Sequence, residues 1–149
     1  MRRTTDDVNL AGRVVVNDDR LSEAVQALLR DRLKSFEQLE ILLLMHSQPN
    51  QPWTLESVSA KVRISPVLLH EALLGLRASG LIETDGKQHR CRPTTEALAA
   101  AVAELARAFE EHRAAILGQM NANAIERIRS GSLKAFTDAF VIRKGDRDD

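Results

Sequence analysis

The sequence predicts a mainly α-helical protein that carries one small β-hairpin, and three observations support this fold class. Apolar residues recur at helical spacing through most of the chain. A serine or threonine stands just before several of these runs, where its side chain can cap a helix. One pair, Asp85-Gly86, separates two short segments at residues 81–84 and 88–92, as a hairpin turn does.

Composition limits the classes of protein to which the chain can belong. Hydrophobic residues make up 44% of the 149 residues, which is enough to fill a core. The 21 lysines and arginines are balanced by 21 acidic residues, so any positive surface must be local. The single cysteine, Cys91, cannot form an internal disulfide and suits a reducing compartment. No apolar run predicts a signal peptide or a membrane span, so we expect a cytoplasmic protein without membrane contact.

The first part of the chain, residues 1–34, predicts a loose polar arm and one helix. Residues 14–16 are three valines that would form an extended segment. Residues 17–19, Asn-Asp-Asp, are suitable helix starters because their side chains can accept free backbone N–H groups. An apolar stripe at helical spacing follows, comprising Leu21, Val25, Leu28, Leu29 and Leu33.

The second part, residues 35–93, begins with a helix that we expect to be central. Ser35 and Gln38 form a capping-box pattern at its start. The helix is apolar on nearly all sides, through Phe36, Leu39, Ile41, Leu42, Leu43 and Met45. A loop at residues 47–52 follows, and Trp53 is expected to pack beneath the next helix.

Two further helices and the hairpin complete this part. Thr54 caps a short helix over residues 55–62, and Ser65 with Pro66 starts a third helix. The inward stripe of the third helix is Leu69, Leu73 and Leu76, helped by Ala72. Gly80 ends the third helix as a left-handed cap before the hairpin.

The third part, residues 94–149, predicts a long helix from Thr94 or Thr95 to about Arg129, weakened near Gly118. Its apolar seam alternates spacings of four and three, as in a coiled coil, and comprises Leu98, Val102, Leu105, Phe109, His112 and Ile116. We expect this seam, with the helix of residues 21–33, to form a homodimer interface. His112 either fixes register there or is a satisfied core histidine.

The end of the chain predicts a separate short amphipathic helix. Gly131-Ser132 interrupts the long helix, and Leu133, Phe136 and Phe140 then share one helical face. This face either caps the dimer or docks into the groove of a partner protein.

The residues that define the second part also carry a family resemblance. They are Trp53-Thr54-Leu55, Ile64-Ser65-Pro66, Ala72-Leu73, Leu76, Gly80-Leu81-Ile82 and the Asp85-Gly86 hairpin. With them, residues 35–93 resemble the winged helix-turn-helix domain of bacterial transcription regulators, most closely the MarR class. The resemblance covers less than half of the chain. It implies a dimeric regulator that binds double-stranded DNA through the third helix and dimerises through terminal helices.

Residue types indicate where such DNA contacts would lie. Lys61 and Arg63 precede the third helix, and Lys87, Arg90 and Arg92 lie on the hairpin, where DNA phosphates would pass. Arg90 and Arg92 alternate along their strand and therefore share one face.

The third helix itself carries few residues that read bases. Ser65, Val67 and His70 would approach base edges, and apolar side chains such as Val67 could contact thymine methyl groups. The outward positions are Pro66, Val67, Leu68, His70, Glu71, Leu74 and Gly75. This apolar surface departs from the MarR pattern. A winged-helix adaptor that binds another protein through this helix is therefore the rival hypothesis.

We expect Cys91 to be a small buried apolar residue. Two sensor roles are minority hypotheses. Cys91 could be a redox-sensing thiol flanked by Arg90 and Arg92. A metal sensor could use His89, which shares its strand face, but no Cys-x-x-Cys spacing supports one. The chain lacks a glycine-rich phosphate loop, a Gly-x-Ser-x-Gly elbow and a His-Glu-x-x-His helix. We therefore expect no enzyme activity, no cofactor and no metal.

Overall fold

The computed structural model describes residues 21–148, with side chains as far as residue 135 and at residues 137 and 139. Within this range the chain forms six helices and one two-stranded antiparallel sheet, so the predicted mainly helical class with a hairpin is confirmed. The elements are α1 (Glu23–Asp31), α2 (Phe36–Ser47), α3 (Leu55–Lys61), α4 (Pro66–Ala78), β1 (Ile82–Asp85), β2 (Gln88–Cys91), α5 (Glu96–Glu111) and α6 (Arg113–Asp148). The predicted arm, extended segment and helix starters of residues 1–19 lie outside the described residues.

Helix α1 starts at a serine that the sequence analysis did not select. The Ser22 Oγ accepts the backbone N–H of Val25 at 3.2 Å, which satisfies one of the donors left free at a helix start. The predicted apolar stripe of α1 is buried, and Val25, Leu29 and Leu33 have no exposed surface.

Helix α2 is central, as predicted, but its start differs in two details. The Ser35 Oγ accepts the Gln38 N–H at 3.1 Å, whereas the Gln38 Oε1 accepts the N–H of Lys34 at 2.8 Å. The Gln38 side chain therefore accepts from the residue before the N-cap, Lys34, whereas a regular capping box would use the N–H of Ser35. Phe36, expected in the core, is 48% exposed because it lies in the first turn, before the buried part of α2 begins.

Helices α3 and α4 begin and end close to the predicted residues. Thr54 and Ser57 exchange hydrogen bonds as a capping box at the start of α3, and the Ser65 Oγ caps α4. Gly80 has φ +77° after the end of α4. The N–H groups of Gly80 and Leu81 return to carbonyls in the last turn of α4, which is the Schellman arrangement.

The hairpin pairs Ile82 with Cys91 and Asp85 with Gln88, so its turn is formed by residues 86–87, one residue later than predicted. The backbone of Trp53 adds a short antiparallel bridge beside β2. Its N–H donates to the His89 carbonyl at 2.8 Å, and the His89 N–H donates to the Trp53 carbonyl at 2.7 Å. The buried Trp53 side chain thus covers the core while its backbone extends the sheet.

The long C-terminal helix divides at His112 rather than near Gly118. His112 ends α5 with φ −137°, and α6 begins at the next residue. Helix α6 then continues past Gly118 and through residues 131–132, both of which were predicted to interrupt it. Packing outweighs the helix propensity of these residues: Ile116 and Met120 are buried on either side of Gly118, whose cost in a helix is about 1 kcal/mol.

Half of the predicted dimer seam is buried inside this chain. Val102, Leu105 and Ile116 belong to the same core as α1, and α5 lies directly against α1. Leu98 and Phe109 pack at the edge of this core and are partly exposed. His112 is half-buried at the junction of α5 and α6. The three buried residues are therefore covered without a second copy, and the homodimer interface at the seam stays a prediction.

We expect Gly80→Ala to destabilise the protein by about 1–2 kcal/mol, because a left-handed conformation strains any residue with a β-carbon. The added carbon would also lie 2.9 Å from the Thr94 Oγ1. Gly118→Ala is the matched control, since open space surrounds Gly118 within a helix, and it should stabilise by about 0.5–1 kcal/mol. Urea unfolding followed by circular dichroism measures both changes. Equal effects of the two substitutions would contradict the assigned cap.

Candidate nucleic-acid interface

Helix α4 has one face in the core and one face in solvent. Leu69, Leu73 and Leu76 are buried, as predicted. On the opposite face Val67 is 67% exposed and Leu74 is 50% exposed. The other predicted outward residues are also exposed, except Gly75; these are Pro66, Leu68, His70 and Glu71.

Gly75 faces α2 and allows close contact between the two helices. A β-carbon at Gly75 would overlap the Gln38 Nε2, and Gln38 is the buried polar side chain in the described core. The Gln38 Oε1 is in turn held by the Lys34 N–H. Gly75 therefore positions α4 against α2, and it contributes nothing to the outer face.

Two hydrogen bonds fix the end of α4 to the end of α1. The Arg32 Nη1 donates to the Ser79 carbonyl at 2.9 Å, and the Ser79 Oγ donates to the Arg32 carbonyl at 3.0 Å. In the same region the Arg127 Nη2 of α6 donates to the Lys34 carbonyl at 2.9 Å. The end of α4 is thus held by the end of α1, and α6 is held to the connection between α1 and α2.

The basic residues before α4 are positioned as the sequence predicts. Lys61 is the last residue of α3 and Arg63 lies in the turn, and both are exposed. Neither forms an ion pair with a carboxylate in the described part of the chain. Ser65 is exposed too, but its Oγ already accepts the Leu68 N–H at 3.3 Å as the cap of α4.

The predicted basic face of the hairpin is balanced by carboxylates. Arg90 and Arg92 do line one shallow depression, but Glu83 and Asp85 line it with them. Glu83 is the register partner of Arg90, and its Oε1 lies 3.3 Å from the Arg92 Nη1. The register of a hairpin that turns at residues 86–87 would have identified Glu83 from sequence. These two arginines are therefore weaker candidates for phosphate contacts than the sequence indicated.

A second depression, of about 470 Å³, lies between α4 and the hairpin. It is lined by Leu55, Glu56, His70, Leu73, Leu74, Arg77, Thr84, Gly86, Lys87 and His89. Arg77 was not selected from the sequence, although it follows His70 by seven residues and so shares its helix face. We call this depression the α4–hairpin groove.

His89 lies within the α4–hairpin groove in a positive environment. Its Nδ1 is 2.9 Å from the Thr84 Oγ1. Burial lowers the pKa of His89 below its usual value, and the nearby charges of Arg77 and His70 lower it further. His89 is thus favoured in its neutral form, while the charge of the groove is carried by its neighbours.

Cys91 is a half-buried thiol whose surroundings do not favour the thiolate. It pairs with Ile82 on the inner face of the hairpin, whereas Arg90 and Arg92 line the other face. Burial raises the pKa of the Cys91 thiol to about 11, so the redox-sensor hypothesis loses its basis. Among residues 21–148, no group of three or more histidine, cysteine or acidic side chains is placed to hold a metal ion.

We expect Cys91 to react slowly with iodoacetamide in the folded protein at pH 8. With a pKa near 11 in place of about 9, its thiolate fraction is lower by about 100-fold. Alkylation followed by mass spectrometry, with the urea-unfolded protein as control, measures the ratio of rates. A folded rate equal to the unfolded rate would contradict the raised pKa, and a faster folded rate would show a stabilised thiolate.

Comparisons with known proteins do not identify a family or a function for this chain. No family model, curated protein or solved structure matches the chain. Within the described residues, no helix has the length and apolar character that a bilayer crossing requires. What the interface binds is inferred below from its own shape and charge.

Proposed function

We propose that the chain is a DNA-binding transcriptional regulator that acts as a homodimer, with residues 35–93 as a MarR-like winged helix-turn-helix. One observation carries the proposal: the exposed face of α4 lies between basic residues that no described carboxylate neutralises. Lys61 and Arg63 stand on one side, and Arg77 and Lys87 stand on the other. In a chain with no net charge, a group of four basic residues around one helix face is informative, although Glu56 and Glu71 lie close to it.

The order of elements supports the same proposal. The helices α2, α3 and α4 are followed by a hairpin, and the strand-like bridge at Trp53 completes a small sheet beside them. Helix α4 would enter the major groove, with the hairpin as the wing. Lys61 and Arg63, at the start of α4, would contact the phosphate backbone as the helix enters.

Recognition of bases would be modest in such a complex. Val67 and Leu68 would contact thymine methyl groups, and the Ser65 hydroxyl can still donate one hydrogen bond. Phosphate contacts would then dominate affinity, so binding should weaken steeply as salt concentration rises.

The homodimer would form through the outer half of α6. This helix has 36 residues and so a length of about 54 Å, whereas Met120 is its last buried residue in the described part. Beyond it Ile125, Ile128 and Leu133 are exposed, Ile128 to 70%. The expected cap of Leu133, Phe136 and Phe140 belongs to this continuous helix rather than to a separate one.

Selection from a pooled genomic fragment library at two salt concentrations tests the proposal. Enrichment of a palindromic site with half-sites about 34 Å apart, weakened by salt, would support a dimeric regulator. No retention of any fragment at low salt would exclude DNA binding.

The double substitution Lys61→Ala with Arg63→Ala should weaken binding to every DNA sequence by about 10–100-fold. It should also make the plot of log affinity against log salt shallower by about 1.8, because two phosphate contacts are lost. Fluorescence anisotropy with labelled duplexes measures both. The control Arg107→Ala with Lys34→Ala removes the same charge from exposed positions outside the proposed DNA and dimer surfaces and should change little. Equal loss in the two pairs would mean that only net charge matters.

A protein-binding adaptor is the second candidate, and the exposed apolar residues Val67, Leu68 and Leu74 favour it. Exposed apolar patches with a charged rim are typical of protein interfaces. The occupant of this face would then be the apolar surface of another protein.

The double substitution Val67→Lys with Leu74→Lys separates the two candidates. A protein partner should be lost, because two charges would be desolvated in the interface. DNA affinity should be largely kept, because phosphate contacts dominate it and Val67 contributes only contacts to thymine methyl groups. Affinity capture and DNA anisotropy on the same preparations provide the comparison, with Ala100→Lys, an exposed position on α5, as control. Capture of a protein partner by the double variant at the wild-type level would contradict the adaptor hypothesis.

A further inference from the structure

The α4–hairpin groove brings four nitrogen-bearing side chains to one surface from two elements. His70 and Arg77 come from α4, and Lys87 and His89 come from the hairpin. Glu56 is the one carboxylate among the lining residues. The groove therefore carries a net positive charge even with both histidines neutral.

Arg77 is the group in this groove that lacks a structural role. Three described arginines are paired with carboxylates: Arg30 with Asp31 at 3.1 Å, Arg92 with Glu83 at 3.3 Å, Arg129 with Glu126 at 3.5 Å. Arg77 is exposed and, like Arg63 and Arg107, has no such partner among the described carboxylates. What distinguishes Arg77 is its place in a groove beside Lys87 and His70, where its guanidinium can bind a ligand with oxygen acceptors.

The groove has the charge that one phosphate needs. A guanidinium presents two parallel N–H groups that match two phosphate oxygens, and an ammonium adds a point charge. The groove lies beside the exposed face of α4, and the apolar Leu55, Leu73 and Leu74 complete its lining. Burial is the first cause of the lowered pKa of His89, and the nearby charges of Arg77 and His70 lower it further.

We propose that the α4–hairpin groove binds one phosphate of the DNA backbone, with Arg77 and Lys87 as its charged contacts and His70 as a hydrogen-bond donor. This inference rests on the proposed function and deepens it. It adds Arg77 to the interface, and it moves His70 from the base edges to the backbone.

Fluorescence anisotropy of the full chain with labelled duplexes of several sequences, from 50 to 200 mM salt, tests this assignment. Arg77→Gln should weaken binding to every sequence by about tenfold. The slope of log affinity against log salt should become shallower by about 0.9, the value for one phosphate contact. Arg107→Gln, an exposed arginine on α5, is the matched control and should change neither quantity.

His70→Gln should weaken binding without changing the order of preferred sequences, because a backbone contact carries no sequence information. A changed order would return His70 to the base edges and overturn that part of the assignment. Lys87→Gln repeats the charge test on the hairpin and serves if Arg77→Gln unfolds in a thermal denaturation control.

The failures of the two proposals are distinguishable. If the wild-type chain binds no duplex at low salt, the proposed function fails and this assignment fails with it. If the wild-type chain binds, and Lys61→Ala with Arg63→Ala weakens it while Arg77→Gln and Lys87→Gln behave as Arg107→Gln does, only the groove assignment is overturned.

Discussion

Burial of α2 on nearly every side is the constraint on which the rest of the structure depends. Leu39, Ile41, Leu42 and Met45 have no exposed surface, and α4, α5 and the hairpin all contact this helix. Each such side chain contributes about 1.5–3 kcal/mol when it leaves water, and the exposed positions of α2 are few, at Phe36, Glu40 and Ser47. The neighbouring elements must therefore cover it. Gly75 lets α4 approach closely enough to do so, with Gln38 as the polar contact between the two helices.

The packing of α4 against α2 determines which residues of α4 remain exposed to a ligand. Its inner stripe is fully used against the core, so Val67, Leu68 and Leu74 cannot be buried within the described chain. The free energy of burying these three side chains can therefore be gained only when another molecule binds to this face. Unpaired positive charge lies near the same face of α4. Arg92 is paired with Glu83, whereas Arg63 and Arg77 are not paired with described carboxylates. Exposed apolar side chains and unpaired positive charge thus lie on the same surface. Such a surface suits the major groove of DNA, where base edges lie between two phosphate backbones.

The features that sequence predicted well are the ones set by local chemistry. Ser35, Thr54 and Ser65 cap helices because a short side-chain oxygen reaches an N–H only three residues away, and Gly80 adopts a conformation that other residues resist. The features that it missed depend on contacts between distant residues. The seam at Val102 and Leu105 has the spacing of a coiled coil, but spacing does not reveal whether the covering helix belongs to the same chain. Helix α1 covers it here. Likewise Arg90 looked free until the hairpin register placed Glu83 opposite it.

The links between α4 and the terminal helices bear on how a dimer would act. The reciprocal hydrogen bonds of Arg32 and Ser79 join residues 47 positions apart, and Arg127 holds the connection between α1 and α2 to α6. Helix α6 also packs against α1, so these contacts connect α6 to the end of α4 through α1. If two copies meet along the outer half of α6, this chain of contacts would help to set the separation of their α4 helices. Specificity would then come less from base contacts, which α4 can make only in small number, than from the requirement that both copies reach their half-sites at one spacing.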